Sequence, residues 1–104
     1  MKDLVKKQVD EIVVGLDGGK KPEDFAAAAK MDPYVFVMEG AGTLLVHPTL
    51  VGQSLKEKAE IVYNEVAKGT PEGTYVHYEW AGAKKCTYSR KTNSGLIVGC
   101  GFNE

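Results

Sequence analysis

The sequence is short of most features that mark a nucleic-acid-binding, membrane-spanning or metal-dependent chain. Its 104 residues hold 13 Lys and Arg against 14 Asp and Glu, and no run of basic residues is longer than two. Nucleic acid needs a basic face to displace counterions, so no nucleic-acid partner is expected. No apolar stretch approaches the ~20 residues of a membrane span. Met1-Lys2-Asp3 is not followed by the apolar centre of a signal peptide, so a place outside the cytoplasm would require a leader or membrane helix upstream of this sequence. With 2 His and 2 Cys and no CxxC or HxxxH spacing, a zinc site is not expected. Gly40 and Gly42 precede a strand rather than a helix, which excludes a dinucleotide-binding turn there. No cofactor is implied, and internal repeats, linkers and low-complexity segments are missing too.

What is there reads as an ordinary globular domain. Hydrophobic residues at 43% and charged residues at 26% argue against disorder, and the length allows one core, so residues 1–104 are read as a single domain. Leu4, Val5, Val9, Ile12, Val13 and Leu16 form the stripe of an amphipathic helix over 1–17, closed by Gly18-Gly19. That stripe packs on a sheet or forms a homodimer seam. Pro22-Glu-Asp opens an alanine-rich helical stretch. Tyr34 to Glu39 and Thr43 to His47 are two apolar strands about a glycine turn. Ser54-Leu-Lys-Glu57 matches a capping box and starts a helix through Leu55, Ala59, Val62 and Val66.

Three strands follow. Thr74 to Trp80 alternates, with Val76, Tyr78 and Trp80 on one face. Cys86 to Arg90 and Leu96 to Phe102 flank the turn Lys91-Thr-Asn-Ser-Gly95. The order predicts an α+β fold: a PAS-like five-stranded antiparallel sheet with an N-terminal helix and one helix between strands 2 and 3. If the last hairpin folds symmetrically about Asn93, Cys86 and Cys100 are direct partners at disulfide distance. The alternative is two small apolar residues packed on one face.

Tyr34-Val-Phe-Val, Leu45-Val-His47-Pro48, Leu50-Val-Gly52, Tyr78-Glu-Trp80, Lys85-Cys-Thr-Tyr88 and Leu96-Ile-Val-Gly-Cys100-Gly101 together resemble the single Cache domain over residues 33–102. The resemblance implies an extracytoplasmic, periplasmic or extracellular, sensor module of a bacterial signal-transduction protein, or a free solute-binding protein. Small organic acids or similar metabolites are the implied ligands. The segment between Gly52 and Ile61 and the loop Ala81–Lys84 are shorter than the family's.

The candidate ligand-binding residues are His47, Tyr78, Trp80, Lys85 and Tyr88. His47 could donate to a carboxylate or tie down its own loop. Tyr78 and Trp80 could wall a pocket or pack in the core. Lys85, which the resemblance aligns with the family's Lys before the Tyr, could neutralise an acid or stand in solvent. Tyr88 could close the pocket, but alternation puts Lys85 and Tyr88 on opposite faces, so one of them is expected to fail. Gly99 and Gly101 mark a close approach, by a ligand or by a bulky neighbour such as Trp80. A Cys–His nucleophile pair is badly placed on these strands, so no enzyme is expected. The reading that competes with a sensor is a PAS-like dimerisation or interaction scaffold with a filled core; a redox-responsive domain using Cys86 and Cys100 is a third.

Overall fold

A computed structural model describes residues 1–104. Five strands, β1 (Val35–Met38), β2 (Leu44–Val46), β3 (Thr74–Trp80), β4 (Ala83–Lys91) and β5 (Ile97–Asn103), form one antiparallel sheet in the order β2-β1-β5-β4-β3. Helix α1 (Lys2–Asp17) and a 3₁₀ segment (Pro22–Lys30) precede the sheet; α2 (Leu55–Lys58) and α3 (Glu60–Val66) carry the chain across it between β2 and β3. This is the expected α+β, PAS-like layout.

The sheet is covered on both faces because its central strands are apolar on both. On one face, α1 lays Val5, Val9, Ile12 and Val13 against Val35, Val37, Val98 and Cys100. Burying each such valine contributes roughly 1.5–3 kcal/mol. Three polar ties fix the helix: Arg90 Nη1 donates to Asp10 at 3.0 Å, the Asn93 N–H donates to Asp17 at 2.9 Å, and the Tyr75 hydroxyl donates to the Lys2 carbonyl at 3.1 Å. The apolar stripe is therefore used inside the molecule, with Leu4 the member left outward.

On the other face, Phe36, Met38, Leu44, Val76 and Ile97 pack under Leu55, Ala59, Val62 and Val66. The expected single helix is two. Ser54 caps α2 by accepting from the Glu57 N–H at 3.3 Å, but Ala59 sits at φ −154, ψ 70 and breaks the ladder before α3. Gly99 is required here for a reason of space: a Cβ would run into the Phe36 ring, so the bulky neighbour is Phe36 rather than Trp80.

Of the two alternatives for Cys86 and Cys100, the disulfide is not formed; both cysteines are free and buried. The β4–β5 register pairs Lys91 with Ile97, which centres the hairpin on Ser94 instead of Asn93. Thr92 causes the shift by folding back onto Leu96, whose N–H donates to the Thr92 hydroxyl at 3.0 Å. Cys86 then faces Phe102, and Cys100 faces Tyr88. The Cys100 thiol points to the Gln8 side chain at 3.4 Å and the Pro33 carbonyl at 3.7 Å. Burial raises its pKa to about 12 and pushes Cys86 upward as well, so neither is a thiolate nucleophile at neutral pH.

Candidate functional site

Where the broken helix leaves the sheet, a cleft of about 220 Å³ stays open. One wall is Tyr34, just before β1, and His47, just after β2; the turn beyond adds Leu50. Leu55, Lys58, Ala59 and Val62 form the helical side, and Tyr78, Trp80 and Lys85 the side from β3 and β4. Register explains the last group, because Tyr78 pairs directly with Lys85 and both point to this face. A further pocket of about 40 Å³ lies behind, among Tyr34, Phe36, Tyr78, Lys85, Thr87 and Gly101.

Four of the five residues expected from sequence thus meet at one cleft. Tyr88 does not. It lies on the α1 face, buried, with its hydroxyl donating to the Glu72 carbonyl at 3.0 Å. Three residues along a strand reverse the side-chain direction, so Lys85 in the cleft excludes Tyr88 from it.

His47 ties down its own loop and lines the cleft as well. Its Nδ1 accepts from the backbone N–H groups of Thr49 and Leu50, each at 3.1 Å. A nitrogen that accepts carries a lone pair, which assigns the proton to Nε2 and leaves that group as a neutral donor. Burial pushes the imidazole below its ordinary pKa. The Tyr34 ring stands edge-on to it, with centroids 5.3 Å apart at 73°. The tyrosines are also neutral. Burial raises Tyr34, and it raises Tyr78 although a 2.7 Å hydrogen bond to the Thr87 hydroxyl opposes the rise. Trp80 forms an exposed rim.

Tyr34 and Lys58 were not expected at the site, and each left a signal. Lys58 lies three residues after Leu55 and four before Val62, a charge on the apolar stripe of its helix. Tyr34 alternates with Phe36 and Met38 and so shares their face. Elsewhere, a depression of about 330 Å³ lies over Asp3, Lys6 and Asp10 on the solvent side of α1, and one of about 310 Å³ lies between α1 and the 3₁₀ segment. Both are larger, but the first is an open, wholly charged helix surface and the second joins an apolar floor to an acidic rim. Only the 220 Å³ cleft, of these three, joins cations and neutral donors to an apolar floor.

The strand order and the crossover helices make the fold PAS-like. No protein-family model matches the chain, and no curated protein matches it. Among solved structures it is similar to the ligand-binding domain of Mlp24 with asparagine, at 14% identity and a TM-score of 0.49, covering 67% of this chain and 28% of that one. It is similar to the ligand-binding domain of the Pseudomonas aeruginosa PAO1 amino acid chemoreceptor PctB in complex with L-Arg, at 21% identity and a TM-score of 0.47, over 68% and 31% of the two chains. The PAS domain of Bordetella pertussis BvgS is also similar, at 15% identity and a TM-score of 0.42, over 66% and 70%. The chain thus spans less than a third of either ligand-binding domain. At TM-scores below 0.5 these likenesses carry no weight for the chemistry, which has to come from the cleft's own residues.

Proposed function

We propose that the chain is a small-molecule-binding sensor module, and that its ligand is a small organic acid. The observation that carries this is the charge inventory of the cleft: two ammonium groups, Lys58 and Lys85, the His47 Nε2–H and the aromatic hydroxyls, with no carboxylate among the ten lining residues. A carboxylate ligand would find cations and donors, whereas an α-ammonium group would find no counter-ion. The apolar floor of Leu55, Ala59 and Val62 would take a short carbon skeleton. The role proposed is binding rather than catalysis.

In this reading residues 1–104 form one module, with 33–102 as its ligand-binding core and α1 as the element leading away from it. Its place would be periplasmic or extracellular, within a receptor or as a free binding protein, and any membrane contact would come through a flanking segment. Thermal-shift and calorimetric titration against two- to six-carbon acids, amines, amino acids and purines tests it. Binding at about 100 times the dissociation constant adds roughly 2.7 kcal/mol, a shift of several degrees. Stabilisation by acids supports the reading; stabilisation by amines alone, or by nothing, defeats it. The scaffold reading, which needs a filled interior, instead predicts no small-molecule response and a concentration-dependent dimer in light scattering.

A further inference from the structure

One imidazole ring both holds the lip of the cleft and faces its interior, and protonation sets these roles against each other. The turn that His47 ties down through Thr49 and Leu50 carries the Leu50 side chain into the cleft wall. Further along, the segment is held independently by β2: the Gly52 N–H donates to the Leu44 carbonyl at 2.8 Å, and the Leu44 N–H donates to the Gln53 carbonyl at 2.9 Å. Between Pro48 and Leu50 the imidazole fastens the two backbone N–H groups, while the Leu50 carbonyl accepts from the Gln53 N–H at 3.0 Å.

We propose that His47 is a pH-sensitive latch on this lip. Neutral, it holds Leu50 in place and presents Nε2–H inward; protonated, it carries a proton where two amides already point, and the turn is released. The latch matters to function only if the cleft is the binding site argued above. Four other groups line the same space: Tyr34 from just before β1, Lys58 from α2, Tyr78 from β3 and Lys85 from β4. None is a carboxylate, so no counter-ion there stabilises an imidazolium, and burial disfavours the charged ring. A histidine in an acid-binding site would ordinarily bind better when charged. Here the two amides reverse the sign, and acid takes the site apart.

The size of the effect follows from linkage. In the released turn the imidazole titrates at about 6.5, so one pH unit below that value protonation favours the released form by at most about tenfold. The test uses the intact ¹⁵N-labelled chain. Histidine side-chain spectra should show the proton on Nε2 at neutral pH. The Thr49 and Leu50 amides should shift in step with the His47 titration and lose exchange protection, by up to about tenfold, between about pH 7.5 and 5.5, after correction for intrinsic exchange. His47→Asn places an amide oxygen where Nδ1 was and cannot titrate, so its two amides should stay protected at both pH values. A proton on Nδ1, wild-type amides indifferent to pH, or an Asn variant as acid-sensitive as wild type would each overturn the latch. The wild-type titration decides alone if the variant does not fold. None of these readouts needs a ligand, so a failure of acid binding would count against the sensor reading and leave this result standing.

Discussion

The two faces of the sheet are built from the same strands and differ in what they leave undone. Under α1, apolar side chains fill the space and the polar groups at the helix margin find partners: Asp10 with Arg90, Asp17 with the Asn93 amide, Tyr75 with the Lys2 carbonyl. Under α2 and α3 the cover is interrupted at Ala59, and a 220 Å³ hollow remains with Lys58, Lys85 and His47 among its lining residues. A continuous helix with its stripe pressed flat would have made both faces alike. The difference teaches that the binding capacity proposed for this fold comes from incomplete coverage of an otherwise ordinary core.

The contrast can be broken most forcefully on the filled side. Val9→Asp puts a charge where exposure is zero and should cost about 4 kcal/mol or more, read as a large fall in the urea midpoint. Gly99→Ala drives a methyl into the Phe36 ring and should cost about 1–3 kcal/mol by the same measurement. Lys58→Ala and Lys85→Ala should behave in the opposite way. Stability should stay within about 0.5 kcal/mol, while affinity for an acid that binds wild type falls roughly ten- to a hundredfold in calorimetry. A stability loss without an affinity loss would erase the distinction between the faces.

A pH series sharpens the comparison further. The folded-state pKa of His47 is depressed by burial, so its contribution is present above the unfolded value of about 6.5 and is lost as pH falls through the folded one. Chemical denaturation should therefore show stability declining below about pH 6.5, and His47→Asn should flatten that part of the curve. For Asp10, burial works to raise the pKa, but the hydrogen bonds from Lys6 and Arg90 outweigh it and the net direction is down. Its contribution is present above the unfolded carboxylate value of about 3.9 and disappears at lower pH. As a partly exposed pair, Asp10–Arg90 should be worth about 1 kcal/mol or less in a double-mutant cycle, the smallest of these effects.

Local pattern carried much of this architecture. The four- and three-residue spacing from Val5 to Val13 specified the buried face of α1, and alternation in Thr74–Trp80 put Tyr78 and Trp80 together on the cleft side. Alternation also foretold that Lys85 and Tyr88 would part company. Distances between elements were harder to read. The pairing expected for Cys86 and Cys100 failed because Thr92 pairs with Leu96 and moves the centre of the hairpin one residue along, which shifts every partner by two. The break at Ala59 was hidden because alanine ordinarily favours a helix; no local rule signals a kink there. Lys58 and Tyr34 escaped notice for the related reason that a site is a meeting of distant segments.

Adjacent residues of β4 answer to different compartments: Lys85 to the cleft, Cys86 to the layer beneath α1. Such a strand lets the two sides vary independently. A lineage could exchange lysines and aromatics above the sheet to suit a new guest, one replacement at a time, while the foundation below keeps its valines and its melting point.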